Sequence, residues 1–231
     1  MKRSILGVLL TTLASPAWAA RPFVTDDARL TNAGSCQLES WMRMYPASRE
    51  LWVLPACNPG GNFELTLGGG VARVDGQAAT RDYVLQAKTL FRPLSRNDWG
   101  WGMAIGMVDH PEIHPGPNQL GNAYAYLPLS RSFNDDQVVL HGNVGWLRDR
   151  ATHMDNLTWG MGAEYRLAEH ITAIAETFGD NRIRPYWQLG GRFAVVPDRV
   201  QVDATLGQQF AGSNTGRWLS FGLRLTPDRL F

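Results

Sequence analysis

Residues 97–108, NDWGWGMAIGMV, alternate without a break: Trp99, Trp101, Met103, Ile105 and Met107 hold the odd positions, and Gly100, Gly102, Ala104 and Gly106 the even ones. A period of two puts successive side chains on opposite faces of a strand. This strand therefore has one large apolar face and one nearly bare face. A soluble sheet with one face in water carries polar groups on that face, and here there are none. The small residues either leave space beside the strand or admit side chains from its neighbours; the sequence leaves both readings open.

The same two-faced pattern recurs along the chain. In NFELTLGG, Phe63, Leu65 and Leu67 oppose Glu64, Thr66 and Gly68; in LTWGMGAEYR, Leu157, Trp159, Met161, Ala163 and Tyr165 oppose Thr158, Gly160, Gly162, Glu164 and Arg166. VQVDATLGQ and RWLSFGLRL repeat it. Twelve strand-like segments follow: 35–45, 49–57, 62–74, 82–92, 98–108, 119–130, 136–148, 155–166, 170–178, 184–196, 199–210 and 217–226. Each is near the length a tilted strand needs to cross a bilayer, and longer than the usual soluble strand. A sandwich would turn the apolar face inward and a membrane barrel would turn it outward. Strand length, an even count and turns such as NPGG at 58–61 and FNDD at 133–136, set against the longer DHPEIHPGPN, favour the barrel. The expected fold is all-β: an antiparallel transmembrane barrel of about twelve strands, of outer-membrane type.

The N-terminal end agrees with export. Lys2 and Arg3 precede an apolar run from Ile5 to Ala14, which ends in Ala17-Trp18-Ala19. That is the pattern of a secretory signal peptide over 1–19, too short to span a membrane. The remainder reads as an N-terminal periplasmic arm, 20–34, and a barrel domain, 35–231. The expected location is the outer membrane. The full chain has 22 basic and 21 acidic residues; without Lys2 and Arg3 this becomes 20 and 21, a net charge of −1. Such balance gives no reason to expect a nucleic-acid partner. The expected partners are outer-membrane lipids, small-molecule solutes and the machinery that assembles such barrels.

The first hairpin has a register that can be deduced. With Pro46 and Ala47 at its tip, Cys36 falls opposite Cys57, Trp41 opposite Trp52, and Arg43 opposite Glu50. An exported pair of cysteines placed cross-strand predicts a Cys36–Cys57 disulfide. Parity assigns Glu39, Arg43, Glu50, Glu64, Lys88, Arg92, His141, Glu164, Arg166, Glu176, Arg192, Asp203 and Arg224 to the lumen. They read either as a lining that sorts solutes by charge or as ion pairs that fill a narrow interior, and the mixture of signs favours the second. The arm from Arg21 to Asn32 has the reach to enter that lumen; the sequence does not say whether it does.

ARPFVTDDARLTNAGSCQLESWMR at the start of the exported chain, GAEYRLAEHITAIAETFG and the closing RWLSFGLRL resemble the outer-membrane family of the MetA pathway of phenol degradation. The resemblance implies an outer-membrane β-barrel of transporter type, sometimes linked to aromatic compounds, with no catalytic motif to carry over. Phe231 is terminal, as in many such barrels, but PDRL separates it from the last strand.

Chemistry-bearing clusters are few. Asp109, His110, Glu112 and His114 share one loop, and His110 and His114 are weak metal candidates because prolines follow both. His141 and Ser220 are both inward, but a serine hydrolase needs them within hydrogen-bond reach. The chain carries no GxSxG, HExxH, CxxC or phosphate-binding glycine loop. The expected function is thus a channel or transporter for small solutes, aromatic ones among them, with no enzyme activity and no cofactor. The alternatives are a structural or interaction barrel with a plugged lumen and, last, a barrel enzyme acting on lipid or peptide.

Overall fold

The computed structural model describes residues 23–109, 122–150, 152–211 and 216–227. The signal-peptide reading, His110, Glu112, His114 and Phe231 lie outside them. Twelve antiparallel strands form one sheet: β1 (Ser35–Tyr45), β2 (Ser48–Asn58), β3 (Glu64–Val74), β4 (Thr80–Arg92), β5 (Trp99–Asp109), β6 (Ala123–Phe133), β7 (Val138–Asp149), β8 (Met154–Ala168), β9 (Ile171–Asp180), β10 (Tyr186–Val196), β11 (Val200–Gln209) and β12 (Trp218–Leu225). Neighbours in sequence are neighbours in space, and β1 pairs with β12, so the sheet closes on itself. Closure removes the two unpaired edges that an open sheet would expose to hydrocarbon. The end where β1 begins and β12 finishes is called here the terminal end, and the opposite one the loop end.

Local chemistry fits these bounds. The turn from β6 to β7 places Asn134, Asp135 and Asp136 in succession at positive φ, a conformation Asn and Asp tolerate better than other non-glycine residues. Asn97 and Asp198 do the same in the turns before β5 and β11. Every sequence-assigned segment matches one strand, with ends displaced by a few residues at most.

The apolar face is outside. Leu67 and Met161 are each 63% exposed and Val144 58%, whereas the alternate residues of the same strands are buried or half-buried. Water would penalise such a surface at about 25 cal/mol per Å², and lipid does not. Trp99, Trp101, Phe91 and Phe133 are outward at the terminal end, and Tyr83 and Trp146 at the loop end. These two bands are where amphipathic rings meet lipid headgroups.

The bare face of β5 is filled, not open. A Cβ on Gly102 would lie 2.7 Å from the Leu90 side chain, and one on Gly106 would strike the Tyr124 ring. Gly100 is occupied in the same way by the backbone of Pro93 and Leu94, and Ala104 is fully buried. Of the two readings the sequence left open, close packing of interior groups is the one observed.

The first hairpin has the deduced register: Cys36 faces Cys57, Trp41 faces Trp52, and Arg43 faces Glu50. Cys36 and Cys57 are joined in a disulfide across it. Alkylation of the unfolded, unreduced protein should therefore label no cysteine by mass spectrometry, and reduction should expose both thiols. Leu67→Arg or Met161→Arg should each cost about 2–4 kcal/mol of insertion energy if placed near the bilayer midplane. The loss should be visible as reduced folding yield in phospholipid vesicles, with Leu67→Phe close to the parent.

Candidate functional site: the occupied lumen

Period two aims alternate residues of every strand at the interior, and the charges among them meet across the ladder. Arg43 Nη1 lies 3.1 Å from Glu50 Oε1. Glu64 stands opposite Lys88, Arg192 opposite Asp203, and Glu39 opposite Arg224. Arg192 also reaches Glu164 at 3.1 Å, while Arg224 Nε donates to Gln37. A charge taken out of water is tolerable when paired and hydrogen-bonded. Arg43–Glu50 and Arg192–Glu164 meet that condition directly, and the register sets the other opposite charges side by side on the wall.

Not every assigned lumen residue is there. Arg92 is a correction: the register shifts between Leu90 and Arg92, so Arg92 pairs with Trp101 on the outer side. Its guanidinium lies 4.4 Å from the Trp99 ring centroid and bridges to Asp98 at the terminal rim. A backbone N–H from Trp99, then Arg92, hold the Asp98 carboxyl below its usual range. Strict parity could not anticipate the extra residue of a bulge. Arg166 keeps inward parity opposite Thr172 but sits at the same rim, where it donates to the Asp135 carbonyl. It borders a surface hollow with Asn134, Gln137 and Glu169.

The interior is occupied by the chain's own N-terminal arm. Read from sequence as periplasmic, its described residues run through the barrel: Thr25, Asp27 and Ala28 are 0% exposed. Two wall glutamates accept its backbone N–H groups. Glu176 takes those of Val24 and Thr25, and Glu64 takes that of Thr31 at 2.8 Å. Asn58 Nδ2 donates to the Thr31 carbonyl, and Ser130 Oγ accepts from Ala28 N–H at 2.9 Å. Ion pairs join arm to wall as well: Lys88 with Asp26 at 2.8 Å and Asp27 at 3.7 Å, and Arg29 with Glu164 at 3.8 Å. Apolar contacts form small patches: Ala28 and Leu30 against Leu90 and Leu94, Val24 against Phe178, Tyr186 and Trp218, and Phe23 against the His141 ring.

Two wall glycines explain how the arm fits. The nearest atoms to a Cβ built on Gly160 all belong to Thr25, and those near Gly162 all belong to Phe23. The missing side chains of β8 are the groove in which the arm lies. Toward the loop end, side chains fill the interior. Trp41 and Trp52 stack at 5.8 Å, Tyr124 and Tyr126 at 6.2 Å, and Arg43 sits 5.5 Å from the Trp218 ring centroid.

His141 meets Ser130, not the Ser220 considered from sequence. Ser130 Oγ is 2.8 Å from His141 Nδ1, and His141 Nε2 is 3.7 Å from Glu164 Oε1. A serine, an imidazole and a carboxylate in series is the order of a hydrolase triad. Here the hydroxyl is fully buried and capped by the Ala28 N–H. With the arm in place Oγ has no free approach, and the Ser130–His141 pair lies directly beneath Ala28. Asp26, Asp27, Tyr126 and Ser130 were absent from the sequence-derived set. One signal pointed to the two aspartates: Lys88 is the one lysine after Lys2, on an inward position, with TDD at 25–27 in an arm that has the reach to enter the lumen. Among the described residues no group of three or more His, Cys, Asp or Glu is arranged to hold a metal ion.

Gly160→Val would place methyl groups where Thr25 lies without touching the barrel ladder. Its expected effect is expulsion of the arm with the barrel intact, measured as faster proteolytic cutting between residues 23 and 34 with unchanged heat-modifiable migration on gels.

The comparisons with known proteins agree with this architecture. The KdgM porin is 10% identical, with 82% of this chain and 98% of that chain covered and a TM-score of 0.60. A second structure, the KdgM porin in complex with disordered oligogalacturonate, is 9% identical over the same shares with a TM-score of 0.61. The NanC porin is 8% identical, covers 83% of this chain and 98% of its own, and has a TM-score of 0.55. At such identities the likeness is one of fold: a closed barrel of outer-membrane type. No curated protein matches in sequence. The family model that does match is not the phenol-degradation one that the three sequence stretches resemble. It spans residues 8–226, and the chain belongs to the family described as uncharacterised conserved protein UCP029691.

Proposed function

We propose that the protein is a gated outer-membrane channel for small solutes, closed in the state seen here by its own N-terminal arm. One observation carries this reading: the arm meets a polar wall. Replacing a buried ion pair with well-packed apolar residues is often neutral or stabilising. A permanent plug would therefore gain nothing from lying on Glu64, Lys88, Ser130, His141, Glu164 and Glu176, all buried beneath it. Such a wall suits a lumen that fills with water when the arm withdraws. The arm adds no strand to the closed ladder, so its departure breaks no sheet. Glu39, Arg43, Glu50, Arg192, Asp203 and Arg224 would then line the lumen with both signs, which predicts weak selectivity between small cations and anions. The likeness in fold to porins, one of them solved with an oligogalacturonate, supports a solute pathway.

Aromatic solutes are the narrower form of the proposal. Their support is the family resemblance of the three sequence stretches and the stacked pairs Trp41–Trp52 and Tyr124–Tyr126. The competing reading, a permanently plugged structural barrel, is favoured by the apolar cluster of Trp52, Ala72, Val84, Val108, Tyr124 and Leu147 toward the loop end.

Planar-bilayer recording separates the two. The intact chain should be silent or open only in brief events, and a variant lacking residues 23–32 should conduct steadily with a cation-to-anion permeability ratio near one. Silence from a correctly folded truncated barrel would leave the plugged structural barrel as the function.

A further inference from the structure

The arm does not merely fill space at Asp26; the wall grips that residue as a ligand. Lys88 Nζ is 2.8 Å from both oxygens of the Asp26 carboxylate, and Tyr126 donates its hydroxyl to Oδ2 of the same carboxylate at 2.8 Å. Tyr124 donates to Gln86 Oε1 at 3.0 Å, and the same oxygen, 3.2 Å from the Tyr126 hydroxyl, is the other acceptor in reach of the single Tyr126 proton. Asn143, its amide oriented by the groups it faces, reads the backbone of the same residue. Oδ1 accepts from Asp26 N–H at 2.7 Å and Nδ2 donates to the Asp26 carbonyl at 2.9 Å. Three wall residues, one each from β4, β6 and β7, thus converge on one acidic residue.

The chemistry of that cradle is specific. An ammonium and a phenol donate to one carboxylate in a setting of low dielectric, where charge-assisted hydrogen bonds are strongest. The Lys88 side chain is 4% exposed and the Asp26 side chain 18%, so the cation is enclosed while its counter-ion faces the remaining space. Without Asp26, Asp27 at 3.7 Å and the cross-strand Glu64 are the anions left near Lys88, and the phenol has no carboxylate.

We infer that the lumen wall at Lys88, Tyr126 and Asn143 is a binding site for small carboxylate solutes, and that Asp26 occupies it as an internal stand-in. The preferred ligand carries an amide next to the carboxylate-bearing carbon, as an acidic peptide or an N-acylated acidic amino acid does, because Asn143 reads that amide. A solute carboxylate and the arm then compete for one cradle, and binding of the solute favours withdrawal of the arm. For the solute's route to the site, the inference rests on the gated-channel reading.

The test reads binding and not conduction. Asp26→Ala in the full chain removes the carboxylate and should lower the thermal unfolding temperature. Acetate, supplied at about ten times its dissociation constant, should restore much of that loss by mass action. Acetamide, the neutral isostere, and sodium chloride at equal ionic strength should restore none. Lys88→Met in the same background should abolish the rescue. Should the Asp26→Ala protein not fold, the unsubstituted chain serves: acetate should speed proteolytic cutting of the arm and acetamide should not. Equal effects of acetate and acetamide, or a rescue that survives Lys88→Met, would overturn the site. Rescue together with a silent truncated barrel would retire the channel and keep the site; steady conduction without rescue would do the reverse.

Discussion

Inside hydrocarbon no water is present to satisfy a peptide group, and every strand must find its partners within the sheet. The pairing of β1 with β12 is the contact on which the rest depends, since it converts eleven hairpin-type ladders into a ring without edges. Once the ring is closed, the two faces of each strand have separate solvents. Lipid takes Leu67, Ile105 and Met161, and the enclosed side receives Lys88, Glu164 and Arg192. The same closure creates a second demand. An enclosed polar wall must be hydrated or partnered, because each buried unpartnered polar group costs roughly 1–3 kcal/mol.

The arm meets that demand. Backbone N–H groups of Val24, Thr25 and Thr31 are delivered to Glu176 and Glu64, and carboxylates of Asp26 and Asp27 to Lys88. The exchange is balanced in kind: wall anions take arm donors and the wall cation takes arm anions. Withdrawal of the arm therefore has to be matched by entry of water or of a solute with equivalent groups. In the gated channel proposed above, opening and hydration of the lumen are one event, and the polar wall is what permits it. The aromatic residues toward the loop end make a different kind of contact, by stacking and by the cation over Trp218. That region resembles an ordinary apolar core, and it is where the plugged-barrel reading draws its support.

Glutamate 164 shows how much the interior is shared. It pairs with Arg192 of the wall, with Arg29 of the arm and with His141, which in turn holds Ser130 beneath Ala28. A Ser–His–carboxylate series thus arises from the need to satisfy a buried imidazole and a buried carboxylate together, with no open approach to the hydroxyl.

Strand number, strand bounds, the face each residue takes and the first hairpin's register were legible in the sequence. Each follows from period two, from turn residues such as Asn134-Asp135-Asp136, and from a tip at Pro46–Ala47 that fixes Cys36 against Cys57. These are local rules, and local rules are what a linear pattern records. The exceptions were tertiary. A bulge beside Phe91 reversed the parity of Arg92, because the extra residue is invisible until the partner strand is placed. Gly102 and Gly106 took up Leu90 and Tyr124, and Gly160 and Gly162 took up Thr25 and Phe23. The same missing side chain serves a neighbouring strand in one place and a segment more than a hundred residues away in the other, and composition cannot tell them apart. The convergence of Lys88, Tyr126 and Asn143 on Asp26 was likewise set only by closure of the ring. Which charges meet across an enclosed space depends on strand tilt and on where the arm enters it, and neither leaves a period in the sequence.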